Sequence, residues 1–139
     1  MITSDKLTVN EAKFTARKTS VKGIYKDGNN ERGIGLGDDQ PAHPDLMEER
    51  KRLGGIVAKI IELDEVNAEK CVVDKISLNR KKGEFSIDLS LRIPELQPNP
   101  KIQVKRFNDI TRQDAEPLFK EAAMYACNEK RAQSAIDFQ

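Results

Sequence analysis

His43 is the only histidine in the chain. A lone imidazole with no cysteine or second histidine nearby makes a poor metal site, and beside Pro44 it reads as a helix-start residue. Asp38, Asp39 and Asp45 lie close enough in sequence to gather a divalent cation, but acids at the start of a helix are explained by its dipole alone. Cys71 and Cys127 are too few and too far apart for a zinc knuckle or a disulfide scaffold, and read as ordinary half-buried thiols of a reducing compartment. The stretch "GIGLGDD" at residues 33–39 invites comparison with a dinucleotide-binding loop. Its third glycine comes one position early, no helix opens directly after it, and Asp38 with Asp39 would repel a pyrophosphate. No serine or cysteine stands at a spacing that suggests a nucleophile with its base. The chain therefore predicts no catalytic residue, no metal and no cofactor, and a protein that works by binding.

Binding chemistry is better supplied. Lys13, Arg17, Lys18 and Lys22, with Lys26 beyond them, fall in one stretch of strand character, and Lys75, Lys101 and Lys105 fall in a second, beside Ser77 and Gln103. If helices cover one side of a sheet built from these stretches, the other side displays these cations and would hold phosphates without reading sequence. A solvated face whose lysines guard strand edges produces the same pattern. No aromatic residues are interleaved with the lysines to stack bases, which favours the solvated face.

The carboxyl end is the other candidate. Ile136 and Phe138 stand two residues apart, a spacing that puts both side chains on one side of an extended chain and on different sides of a helix. An extended segment of that kind seats an aliphatic and an aromatic anchor in neighbouring cavities of a partner while Gln133 reaches a polar subsite. Residues 133–138, Gln-Ser-Ala-Ile-Asp-Phe, resemble the Gln-x-x-Leu-x-Phe peptide by which replication and repair proteins bind the bacterial sliding clamp, with Ile for Leu. The five-residue form of that peptide has Leu and Phe adjacent, whereas Asp137 separates them here. The resemblance implies Gln133 in the polar subsite, Ile136 and Phe138 in the hydrophobic one, and a host DNA polymerase sliding clamp as partner. An alternative is that Ile136 and Phe138 close the end of this chain's own core. From His43 onward, the layout of helix, hairpin and final helix also resembles small proteins of tailed phages that have no assigned activity.

The elements that must position these residues follow from composition and period. A chain of 139 residues without tryptophan suits one domain with an aliphatic core. It has no apolar run of membrane-span length and no secretory signal at its start, so a cytoplasmic protein is expected. Leu7–Val9, Lys13–Ala16 and Ser20–Tyr25 read as short strands, "KDGNNERG" as a turn, and Ile34 with Leu36 as a weak strand. Pro44 and Asp45 open a helix expected to run to Leu63, with Leu46, Leu53, Ile56, Val57, Ile60 and Ile61 as its inward stripe. Gly54-Gly55 within it costs about 2 kcal/mol of helix propensity and predicts a kink or a close crossing. Val72, Ile76 and Leu78 share one parity, as do Phe85, Ile87, Leu89, Leu91 and Ile93, and Ile102 with Val104 mark a further strand after a proline-rich loop. A last helix, capped near Asp114, carries Ala115, Leu118, Phe119, Ala122 and Ala126.

The sum is an α+β domain over residues 1–132, a mainly antiparallel sheet with two helices on one face, followed by a tail peptide at 133–139; no internal repeat is visible. Two functions compete. One is a non-enzymatic, phage-type accessory protein of DNA replication or recombination that docks on the host clamp, its sheet face contacting DNA. The other is a protein that sequesters a small anionic nucleotide, perturbing host defence signalling, with a pocket expected at a subunit interface.

Overall fold

The computed structural model describes residues 2–96 and 98–130. Strands β1 (Leu7–Phe14), β2 (Thr19–Asp27) and β3 (Asn30–Asp38) form a meander, followed by helix α1 (Pro44–Ile60) and a short helix α2 (Glu65–Glu69). A second meander, β4 (Cys71–Asn79), β5 (Glu84–Leu91) and β6 (Lys101–Phe107), is followed by α3 (Arg112–Ala126). All six strands join one sheet in the order β3-β2-β1-β4-β5-β6, and every neighbouring pair is antiparallel. The fold is α+β. It consists of two topologically equivalent βββα halves that meet where β1 pairs with β4, Ala12 opposite Ile76. The chain shows no repeat in sequence because the halves share a backbone path and an apolar rhythm, which many residue choices satisfy.

Alternation sends Leu7, Val9, Ala12 and Phe14 of β1, Val21 and Tyr25 of β2, and Phe85, Ile87 and Leu89 of β5 into one buried face, where α1 and α3 pack against each other and the two inner strands. The sequence reading breaks β1 in two; the structure runs it through, with a bulge at Asn10 where the register shifts between Val9 and Glu11. β3 is likewise longer than the pair Ile34 and Leu36 suggests, because β2 and β3 zip together from Asp27 opposite Asn30, with Gly28 at positive φ in the turn.

In β4 the bulge falls at Asp74, between Val73 and Lys75. The expected parity is corrected here: Cys71 and Val73, not Val72, share the helix-covered face with Ile76 and Leu78, since one extra residue flips everything before it. Val72 is on the other face, opposite Ser90, yet is also buried.

Helix α1 begins as expected at Pro44, and His43 is its N-cap, its Nδ1 accepting from the Asp45 N–H at 3.0 Å. It stops at Ile60, three residues short of the expected Leu63, where Glu62 adopts φ 66° and Leu63 N–H returns to the Ala58 carbonyl. Ile60 is on the surface, and the inward positions include Gly54 and Ala58. Of the kink and the close crossing, the structure adopts the crossing: a Cβ on Gly54 would sit 2.5 Å from the Cys71 carbonyl oxygen. Helix α3 is capped by Thr111, which exchanges hydrogen bonds with Asp114 in a capping box. Its buried residues are Ala115, Leu118, Phe119, Ala122, Ala123 and Tyr125, while Ala126, expected in the stripe, is half-buried at the helix end.

Candidate functional site

At one end of the β1–β4 seam the sheet splits. β1 pairs with β4 only from Glu11 to Lys13, opposite Ser77 to Lys75, so Cys71–Asp74 continue past the point where β1 ends at Phe14. The carbonyls on that side of β4 lose their strand partner. Helix α1 supplies a substitute, the Arg50 side chain, whose Nε donates to the Val73 carbonyl at 2.8 Å. The Arg50 guanidinium lies over the Phe14 ring, 4.5 Å from its centroid, and is almost fully buried.

The remaining guanidinium charge meets Asp74. The bulge carries that carboxylate to the split, where Arg50 Nη2 lies 3.4 Å away, Arg92 Nη2 3.6 Å and Lys101 Nζ 3.8 Å. Ser90 Oγ donates to it at 3.2 Å. One carboxylate thus faces three cations. Burial pushes the Arg50 guanidinium down to about 10, against the pull of Asp74, and so Arg50 stays charged at neutral pH. Burial pushes the nearby Cys71 thiol up to about 11, with Asp74 acting in the same sense, which makes it an inert core residue.

Around this cluster opens a pocket of about 880 Å³. Its cations are Lys13, Arg17, Lys18, Arg50, Lys75, Arg92 and Lys101, and its acids Asp39, Asp74 and Asp88, seven against three, a surplus of four positive charges. The Thr15–Lys18 turn forms one wall, closed by Thr15 N–H to the Lys18 carbonyl at 2.9 Å and Lys18 N–H to Thr15 Oγ1 at 3.0 Å. Asp39 to Ala42 form another, pinned from the core side where the Tyr125 hydroxyl donates to the Gln40 carbonyl. The floor is a cross-strand row on the helix-free face of the sheet: Lys13, Lys75, Asp88 and Gln103, each opposite the next.

Of the sequence-derived cations, the structure brings Lys13, Arg17, Lys18, Lys75 and Lys101 into this one pocket. Lys22 lies outside it, one row along, where Glu11 bridges Lys22 at 3.6 Å and Lys75 at 3.7 Å. Lys105 also lies outside, at a bulge in β6 where Val104 and Phe107 pair with Ile87 and Phe85 and Arg106 takes φ 53°. Lys26 is exposed near the far end of β2, opposite Glu31. Ser77 occupies the row of Lys22 and Glu11. The candidate clamp-binding residues Gln133, Ile136, Asp137 and Phe138 lie outside the described residues.

Sequence reasoning passed over Arg50, Asp74 and Arg92. Arg50 had a signal: it fills the seven-residue gap between Leu46 and Leu53, an inward position taken by a charge. Asp74 follows three consecutive half-apolar residues that no strict alternation accommodates, the mark of a bulge.

The equivalent end of the seam, at Asn10, is plugged. There Arg80 from the β4–β5 turn donates from Nη2 to the Val9 carbonyl at 2.7 Å and from Nε to Asn10 Oδ1, matching what Arg50 does for Val73 and Asp74. The Arg80 carbonyl in turn accepts from Arg112 Nη2 at 2.9 Å. At the Asp74 end the corresponding turn begins with Thr15 and Ala16, side chains too short to fill the split, and the cavity remains.

Among the described residues no helix is long and apolar enough to cross a membrane. None of the three comparisons finds a relative: no protein-family model matches the chain, and no curated protein and no solved structure is significantly similar to it.

Proposed function

We propose that this protein is a non-enzymatic binding protein whose pocket at the split of the sheet holds a small phosphate-bearing anion of the nucleotide class. The supporting observation is that, among the described residues, Asp74 alone answers Arg50, Arg92 and Lys101, inside a cavity with four surplus positive charges. A dianionic phosphate beside Asp74 completes the local charge balance and accepts from guanidinium donors that now share one carboxylate. The volume is that of a small-molecule site, and its concavity suits a mononucleotide or dinucleotide better than a duplex. In the setting of the phage-type resemblance, such a pocket acts by sequestering a nucleotide signal.

The test is calorimetric titration with pyrophosphate and ribonucleoside diphosphates, set beside a single-stranded oligonucleotide. A small phosphate ligand is expected to bind the wild type, and Arg92→Ala and Lys101→Ala are each expected to weaken it about tenfold, or 1.4 kcal/mol. Both side chains are largely exposed, so the fold is expected to survive. The reading fails if no small phosphate binds, if the two variants bind like wild type, or if the oligonucleotide alone is taken.

Docking on a bacterial sliding clamp through Gln133, Ile136 and Phe138 is a second, separable proposal that rests on the six-residue pattern. Its support is the ending of α3: the buried stripe stops near Ala126, and half-buried Lys130 is bridged to Asp45 and Glu121 at 2.6 and 2.7 Å.

A further inference from the structure

Strand β3 is one edge of the sheet and β6 the other, and they are built differently. β6 follows Pro98 and Pro100, exposes Lys101, Lys105 and Arg106, and is broken by a register shift near Arg106, where φ is 53°. Prolines, charges and bulges are the devices that keep a strand edge from pairing with another chain. From Gly33 to Gly37, β3 has none of them, and its register with β2 is unbroken from Thr19 opposite Asp38 to Asp27 opposite Asn30. Among the described residues no strand lies on its outer side.

The turn at Gly28 and Asn29 sets which backbone groups face outward. A two-residue turn closes on a hydrogen-bonded pair, here Asp27 with Asn30, so Arg32, Ile34, Leu36 and Asp38 turn their N–H and C=O groups to β2. Glu31, Gly33, Gly35 and Gly37 present theirs at the open edge. Laid antiparallel against itself with Gly35 on a two-fold axis, this edge is self-complementary. Gly33 meets Gly37 of the second copy, which with the central Gly35 pair gives about six backbone hydrogen bonds. Ile34, half-buried against the core, meets the equally half-buried Leu36 of the second copy, and Arg32 meets Asp38. Glu31 falls diagonal to Gly37, over which the Lys18 side chain lies: a Cβ on Gly37 would stand 3.2 Å from Lys18 Nζ. No strand residue opposes Glu31, since the chain leaves the edge after Asp38, where the Gln40 N–H bonds the Asp38 carboxylate at 2.9 Å. Other registers lose this match. With the axis at Ile34, Arg32 faces Leu36; with the axis at Leu36, it lies past the end of the strand.

We propose that the protein is a two-fold dimer joined through β3, so that two six-stranded sheets run on as one. The occupant of the edge is a second copy rather than a foreign strand because β3 supplies both halves of its own charge and apolar matches at a self-pairing register. The dimer does not depend on what the pocket binds.

The test is the mass of the full chain in solution, by sedimentation equilibrium at about 100 µM. Wild type is expected at twice the chain mass of 15.7 kDa. Arg32 is exposed, and Arg32→Glu sets a carboxylate opposite Asp38 at two symmetry-related places; it is expected to weaken association about tenfold or more. Gly35→Pro removes an N–H that β2 does not use and is expected to give a monomer, with far-UV circular dichroism to confirm its fold. A monomeric wild type overturns the proposal and leaves the edge to a foreign strand. A dimer that Arg32→Glu and Gly35→Pro both leave intact overturns it too, by placing the interface elsewhere; if Gly35→Pro does not fold, Arg32→Glu decides alone.

Discussion

Arg50 joins the core to the pocket. Its Nε replaces the strand partner that Val73 lacks, its plane covers Phe14, and its charge reaches Asp74. Removing it leaves a buried carbonyl without a donor, a loss whose cost exceeds that of an ordinary surface contact. Arg50→Met keeps the length and apolar bulk of the stem but supplies no N–H. It is expected to lower unfolding free energy by about 1–3 kcal/mol, read as a lower urea midpoint at unchanged slope. Arg92→Met, at a half-exposed position on the same carboxylate, is expected to change it by less than about 1 kcal/mol. Equal effects from the two would mean that Arg50 serves only as a surface charge.

At the scale of elements, the decisive contact is α1 against β4. Two adjacent glycines in one helix have opposite roles, which the spacing alone does not reveal. A Cβ on Gly54 would stand 2.5 Å from the Cys71 carbonyl, a backbone atom that cannot swing away, whereas the nearest atom to one on Gly55 is 3.8 Å distant. Gly54→Ala must push α1 off the strand and is expected to destabilise by about 1–3 kcal/mol, even though alanine is the better helix former. Gly55→Ala meets no obstacle and is expected to stabilise by about 0.5–1 kcal/mol. Chemical denaturation of the two variants checks the pair; the same sign in both would refute the close crossing. The bulges are the second element-scale device. Asn10 and Asp74 interrupt equivalent places on the two inner strands, and an arginine inserts at each. One bulge is sealed by Arg80 and the other left open beside a short-chained turn, so the two halves differ at the place where a ligand would enter.

For the whole molecule, the near balance of 24 basic and 23 acidic residues conceals a pocket of concentrated positive charge. Long-range attraction to nucleic acid is correspondingly weak, and binding at the proposed anion site is expected to depend on salt only to the extent of the few phosphates neutralised. The tail proposal belongs to this scale as well. Deleting residues 133–139 is expected to abolish capture by purified bacterial clamp and to leave both the melting temperature and nucleotide binding unchanged. A fall in melting temperature would assign Ile136 and Phe138 to the protein's own core instead.

Strand and helix types were determined by the sequence alone, because apolar residues at period two or at three-and-four spacing admit only one buried face: Phe85 to Leu91 and Leu46 to Val57 read directly. Helix starts were equally local, since His43-Pro44 and Thr111 with Asp114 cap through neighbours. The candidate site was legible only as a set of basic residues; Lys13, Arg17, Lys18, Lys75 and Lys101 converge, and Lys22, Lys26 and Lys105 do not. Which ones do depends on register, and register depends on single-residue bulges at Asn10, Asp74 and near Arg106, of which only the one at Asp74 leaves a break in the sequence's alternation. The union of Arg50 with Asp74, 24 residues apart in the chain, was decided by tertiary structure alone. It exists because β1 ends before β4 does, and a buried carbonyl without a strand partner must find its donor elsewhere.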